Sequence, residues 1–305
     1  MKRRNPTDKK PEVVPEKPVE PKLEDVMRAV SVTLPSMGKT YGDLIPDGVV
    51  SIKPPSTNEV EFFVEMNGPG YEKKLTQLLQ MLIVEPAGLN PIKLTSGDRT
   101  FLHVWTRAQL HDSYVINVVC PACSKFHQSY YYKLADIPVL EIDSDIEKET
   151  ELELPVCKSK VTLRITTGED DQAADKLIAD GIKKWTAKRS ISISKIDGNV
   201  VDYLGAAMWL GKKPGQDSIF VDAFQKKTYH GLDFANAPFT CECGTESLIK
   251  LPFRPEFYFP SLPFERLVGD AVVSSSLRSG RSDTGDPSRG EDGVSKTAVA
   301  PATGN

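Results

Sequence analysis

The most regular stretch of the chain is YEKKLTQLLQMLIV, where Leu75, Leu78, Leu79, Leu82 and Ile83 recur at i, i+3, i+4, i+7 and i+8. That spacing places five apolar side chains on one face of a helix, and Pro86 and Gly88 end it. A second helix is predicted from near Ser96 or Asp98, either of which can cap its N-terminus, with Phe101, Val104, Trp105 and Ala108 on one side. Upstream, VTLPSMGKTYGDLIPDGVVSIKPPS reads as short β-type runs broken by Pro and Gly. Downstream, strands around residues 114–119 and 127–134 flank Cys120-Pro-Ala-Cys123, which predicts a hairpin with two cysteines at its tip.

A polar, acidic stretch, EIDSDIEKETELE, follows, and then the pattern returns with variation. KVTLRITTG reads as a strand. GEDDQAADKLIADGIKKW reads as one helix whose acidic first turn suits the helix dipole, with Leu177, Ile178, Ile182 and Trp185 inward. DGNVVDYLGAAMWL predicts a shorter helix closed by Gly211. QDSIFVDAFQKKTYHG predicts another, with Phe220, Ala223 and Phe224 on one face. A second hairpin is expected over residues 234–251, carrying Cys241-Glu-Cys243. Beyond it, PFRPEFYFPSLPF is aromatic and Pro-punctuated and reads as an irregular strap.

The cysteine pairs recur at offsets of 121 and 120 residues by subtraction of their positions, Leu34-Pro35 returns as Leu154-Pro155, and Asp98 returns as Asp217. The expected architecture is therefore α+β, with two pseudo-repeated modules over residues 25–145 and 146–268. Each ends in a cysteine-tipped hairpin, and the two tips share one zinc-ribbon-like site. Residues 1–24 and 269–305 have no helical or strand period and are expected as disordered tails, because such segments bury too little apolar area to offset their ordering entropy.

Four thiolates suit a tetrahedral zinc ion, so Cys120, Cys123, Cys241 and Cys243 are the candidate ligands, with one structural zinc per chain. The second pair has a single residue between its cysteines, tighter than the usual two. Free thiols and disulfides are the alternatives. Cys157, with no partner at ligand spacing, reads as an ordinary thiol at a strand start. His127 and His230 could substitute as ligands, but each lacks a paired partner and reads as a surface or hairpin histidine. His103 and His111 form no motif.

Composition narrows the function classes. A formal charge of −4 and a pI near 5.7 over 305 residues argue against a nucleic-acid partner, since phosphate affinity needs a basic face; SYYYK at residues 129–133 is the only short candidate, and it reads as strand. No run of 18 apolar residues exists, which argues against a membrane span. The basic start lacks a following apolar stretch, so it is not read as a signal peptide, and a cytosolic origin is expected, where cysteines more often bind metal than form disulfides. No phosphate loop, nucleophile elbow or His-Glu zinc helix is present. The acidic runs at 141–145 and 169–171 read as linker solvation and a helix start, so the expectation is a non-enzyme.

The order of these features resembles the baseplate hub assembly protein family of T-even-like contractile-tailed bacteriophages. The stretches that carry the resemblance are VTLPSMGKTYGDLIPDGVVSIKPP, DRTFLHVWTRAQLHDSYVINVVCPAC, ELPVCKSKVTLRITTGEDD and TCECGTESLIKLPFRPEFYFP. They cover roughly residues 31–260. The closer second cysteine pair and the long termini depart from the pattern. The resemblance implies a non-enzymatic factor acting in the host cytoplasm during tail assembly, with other baseplate hub proteins as partners. A permanent baseplate subunit of the virion and a cellular zinc-ribbon adaptor are the alternatives.

Overall fold

The computed structural model describes residues 29–65, 70–143 and 146–252. The two expected tails and the aromatic strap from Phe253 onward lie outside them. The first repeat opens with an antiparallel pair, β1 (Val30–Thr33) and β2 (Val49–Ile52). Two helices follow, α1 (Thr57–Glu65) and α2 (Tyr71–Leu82), and β3 (Ile83–Glu85) returns to pair with β2. The helical period of α2 places Leu75, Leu78, Leu79 and Leu82 in the core, each at most 2% exposed, against Val32, Val50 and Ile52 of the sheet. Next comes α3 (Ser96–Leu110), capped by Thr95, whose hydroxyl accepts the Asp98 N–H at 3.2 Å. The hairpin of β4 (Ser113–Val119) and β5 (Phe126–Lys133) completes the repeat, and a short β6 (Val139–Leu140) leads out.

The second repeat runs through the same order. It comprises β7 (Glu149–Glu153), β8 (Lys160–Arg164), α4 (Gly168–Ala179), α5 (Lys184–Ser190), β9 (Ile193–Ile196), α7 (Gly215–Lys227) and the hairpin of β12 (Ala237–Thr240) and β13 (Glu246–Ile249). Inserted into this plan are β10 (Asn199–Val200), α6 (Tyr203–Leu210) and β11 (Gly231–Leu232), the last pairing with β6. The likeness reaches the level of register. Ile52 faces Val30 on one side and Ile83 on the other, and the neighbouring pair is Ser51 with Glu85, so β3 carries one extra residue. Leu163 faces Thr150 and Ile193, and its neighbouring pair is Thr162 with Lys195, the same bulge at the same place.

A buried carboxylate repeats as well. Asp98 and Asp217 are each the third residue of a helix, α3 and α7, and each is fully buried. Asp98 accepts the N–H of Ser36 at 3.0 Å, and Asp217 accepts those of Val156 and Cys157 at 2.9 and 3.2 Å. In both repeats the held turn is the one that follows the Leu-Pro pair after the first strand. The positive end of the helix dipole favours the negative charge there, and the turn's N–H groups gain a charged acceptor they would otherwise lack.

Three sequence expectations change, and residues 57–65 add a helix on a stretch the sequence reading left unassigned; Glu59 accepts the Ser56 N–H at 2.8 Å and fixes its start. The long helix expected from Gly168 breaks at Gly181, which sits at φ 92, a conformation open to glycine. Trp185 therefore begins a separate helix and is 51% exposed instead of inward, with the Arg189 guanidinium 3.9 Å above its ring. The ETELE part of the acidic stretch is a strand, β7, not a linker.

Packing couples the halves. Ala237, Phe239, Cys241 and Leu251 of the second hairpin belong to the same hydrophobic cluster as α2, α3 and the first hairpin, whereas Leu154, Leu163, Ile193 and Val221 form a separate cluster. Along the seam, Ser96 donates its N–H to Thr166 and Gly168 donates to Leu94, at 2.9 and 3.0 Å. Arg99, 1% exposed, binds Glu72 and Thr76, each at 3.0 Å. With a further bond to the Pro91 carbonyl at 3.0 Å these satisfy its terminal nitrogens, while its Nε has no partner among the described residues; such partners offset much of the cost of burying a guanidinium. Among the described residues no helix is long and apolar enough to cross a membrane.

Candidate metal centre

The two hairpin tips meet, and all four predicted cysteines come together there, their sulfur atoms within 4.8 Å of one another. Cys120 and Cys241 are buried at the base of the tips, and Cys123 and Cys243 are exposed. Each tip is a tight turn that reverses the chain. Cys120 accepts the Ser124 N–H at 3.0 Å while donating to Lys125; Cys241 accepts the Gly244 N–H at 2.9 Å while donating to Thr245. The residue after the second cysteine takes a positive φ in both, Ser124 at 59 and Gly244 at 81. The one-residue spacing of Cys241 and Cys243 thus closes a turn one residue shorter than that of Cys120 and Cys123, with the same pair of bonds made by the first cysteine.

Across the tips, Cys120 lies 3.9 Å from Cys243 and Cys123 lies 3.7 Å from Cys241. A tetrahedral ion with metal–sulfur bonds of about 2.3 Å needs sulfurs about 3.8 Å apart. The donor set therefore fits one metal ion, with two ligands from each half. No two of the five cysteines are bonded in this structure, and sulfurs 3.7 and 3.9 Å apart across the tips are well beyond the roughly 2.05 Å of a disulfide.

The electrostatics point the same way. The Thr245 hydroxyl and N–H pull the Cys243 thiol down to about 6. The Cys243 N–H also favours ionisation of Cys241, but burial and the neighbouring thiols override it and push that group up to about 12. Cys120 is lowered, chiefly by the Cys123 N–H; at Cys123 the Lys125 N–H is outweighed by burial and by its fellow cysteines, and the thiol is raised. Four thiols in one place cannot all ionise beside one another. A bound dication removes that conflict and deprotonates its ligands outright.

His127 is the neighbour that sequence spacing underrated. Its Nε2 sits 3.2 Å from the Cys241 sulfur, and its ring packs edge-on to Phe239 with centroids 5.4 Å apart. With the proton on Nε2 it donates to that sulfur, a contact that orients a ligand. The signal was available: the return strand of a hairpin passes back beside the first knuckle, and His127 is four residues beyond Cys123. Lys125 and Glu242 form an ion pair from one tip to the other, exposed and so of small energy.

His230 is not at this site. It is 2% exposed, with Nε2 2.6 Å from the Thr95 hydroxyl at the start of α3, so its reading as a surface or hairpin residue is corrected. His103 is buried on Tyr71, and that burial, with Arg99 nearby, pushes its imidazole down to about 3. Cys157 lies in the turn held by Asp217. No known protein family, curated protein or solved structure matches the chain.

Proposed function

We propose that Cys120, Cys123, Cys241 and Cys243 hold one structural zinc ion, and that the protein is a non-enzymatic factor in assembly of the baseplate hub of a contractile-tailed phage, acting through contacts with other hub proteins in the host cytoplasm. The observation that supports the metal is the sulfur spacing across the tips, 3.7 and 3.9 Å. Four thiolates suit zinc, and once they are filled no coordination position remains for water or substrate, so such a site staples and does not catalyse. Support for the biological setting comes from the sequence resemblance carried by the segments quoted above. Metal analysis of the purified protein tests the first part: one equivalent of zinc is expected, and iron in its place, or a metal-free protein with its hairpins intact, overturns it. Deletion of the gene from a phage genome tests the second. Heads and tail components made without completed hubs are the expected outcome, and normal infectious particles reject the role. Mass spectrometry of purified particles then separates a transient factor from a permanent subunit, which alone appears at fixed stoichiometry.

A further inference from the structure

At the seam between the repeats lies a polar cleft of about 390 Å³, within the size range of small-molecule sites. Ser96 at the start of α3 and Thr166 just past β8 meet there with Arg164 of β8, Asp171 of α4, and Lys188 and Arg189 of α5. Comparison of the repeats shows what sets it apart. The Lys53 N–H donates to the Leu82 carbonyl at 2.9 Å, and the Arg164 N–H donates to the Ser192 carbonyl at 2.8 Å, so Leu82 and Ser192 are equivalent positions. Counting back from them, Lys188 and Arg189 stand where α2 carries Leu78 and Leu79, both wholly buried in the first core. The second repeat has exchanged two core leucines for two cations that line a cleft.

These cations are only partly used by the protein. Arg164 gives Nη2 to Asp170, to the Ile191 carbonyl and to the Tyr203 hydroxyl, and Arg189 gives Nη2 to Asp222. Among the described residues neither guanidinium bonds through its other terminal nitrogen. Arg99, by contrast, commits both of its own. Lys188 lies 3.9 Å from Asp171, beyond hydrogen-bonding distance. Asp170 and Asp222 balance the two arginines without lining the cleft, which leaves Asp171 as the one carboxylate on its wall among the described residues. Burial raises that carboxyl from its ordinary value, which lessens its charge. Partly desolvated cations with idle donors carry a cost that a bound anion offsets.

We propose that the cleft binds a small phosphate-bearing anion through Arg164, Lys188 and Arg189. A planar carboxylate is satisfied by a single guanidinium fork. Donors arriving from two elements, β8 and α5, and joined by the Ser96 and Thr166 hydroxyls, suit the several oxygens of a phosphate. Such a ligand touches α3 of the first repeat and α5 of the second, and so it tightens the seam.

Calorimetric titration of the full chain with glycerol phosphate, at ~0.15 M salt to screen long-range attraction, tests this. One-to-one binding with a dissociation constant of about 1 mM or tighter is expected. Lys188→Gln should weaken it about tenfold or more, the worth of one charge-assisted hydrogen bond. The Lys188 side chain makes no hydrogen bond among the described residues, so this variant keeps its fold. Lys184→Gln, on the same helix but exposed and outside the cleft, should leave binding unchanged. Absence of saturable binding overturns the proposal. So do equal losses in the two variants, which would make the attraction a general one of the basic surface. Glycerate bound as tightly as glycerol phosphate overturns the assignment to phosphate.

Discussion

The two repeats share strands, bulge and buried aspartate, yet they complete their cores differently. In the second repeat, α6 packs on α4 and α5 through small apolar side chains, Ala174, Ala187 and Ala207, around Leu177 and Ile191. In the first repeat, α2 has no such inserted helix. The sequence Lys73-Lys74-Leu75-Thr76 aligns with Lys183-Lys184-Trp185-Thr186; Thr186 lies against the end of α6, while Thr76 is bound by Arg99 and by Gln172 of α4 at 3.0 and 3.1 Å. The first repeat therefore borrows α4 and the whole second hairpin from its neighbour. The dependence runs one way. Duplication supplies the framework, and one insertion decides which half is self-sufficient.

The strongest challenge to that asymmetry is removal of the proposed metal. Structural zinc contributes about 10–16 kcal/mol of binding energy that is also folding energy. Chelation, or Cys123→Ser, should collapse hydrogen-exchange protection in β4, β5, β12 and β13 and in α2 and α3. Protection around Leu163 and Val221 should persist. Uniform loss across both clusters would refute one-way dependence.

Next in size are the paired aspartates. Asp98→Ala strands the Ser36 N–H and leaves the Tyr41 hydroxyl only its bonds at Thr95, and Asp217→Ala strands the N–H groups of Val156 and Cys157. Each should cost about 3 kcal/mol in urea unfolding, since buried donors are left without an acceptor. Only Asp98→Ala should also speed zinc release to a chelator. Equal release rates in the two variants would mean that the clusters are coupled more tightly than their packing implies.

A smaller effect separates two glycines in matching first turns. A methyl group on Gly97 would lie 2.0 Å from the His230 carbonyl oxygen, which is backbone and cannot yield, whereas Gly215 has open space. Gly97→Ala should destabilise by about 2 kcal/mol, and Gly215→Ala should be neutral or gain about 0.5 kcal/mol. Thermal melts of the two variants read this directly.

The smallest is a pH effect at the seam. Burial, and then Asp171, raise the Glu72 carboxyl to about 7 against the partial relief given by Arg99. The folded state then holds a proton that the unfolded chain has released, so stability is greatest below the ordinary carboxyl range and falls as pH rises towards 7. Between pH 5.5 and 7 the loss should be on the order of 1 kcal/mol. Glu72→Gln should flatten that slope. Taking the difference between wild type and Glu72→Gln over the same pH range removes protonation of the cysteine ligands, which both proteins share.

Much of this was legible in residue order. The leucine period of α2, the cysteine pairs and the recurrence of Leu-Pro and Asp all carried over, because each is a local signal with a fixed spacing. What was missed depended on weaker punctuation. Ser56-Thr-Asn-Glu59 is the S-x-x-E signature of a helix start, but the β-type reading stopped at Ser56 and left it unused. Asp180-Gly181 marks a helix end, and passing over it turned Trp185 inward. His230 escaped because its burial depends on Gly97 allowing backbone to approach backbone, a contact 133 residues apart by subtraction of positions. No local pattern encodes that.

The shared four-cysteine cluster also sets a timetable for synthesis. Cys123 leaves the ribosome 120 residues before Cys243 by subtraction of positions. At roughly 5–20 residues per second, the first knuckle waits about 6–24 s for its other two ligands. Phe239 and Leu251, which fill the first core, arrive equally late. The half of the protein made first is thus the half that finishes last, and Val119 and Phe126, exposed even in the finished fold, flank its waiting tip throughout that interval.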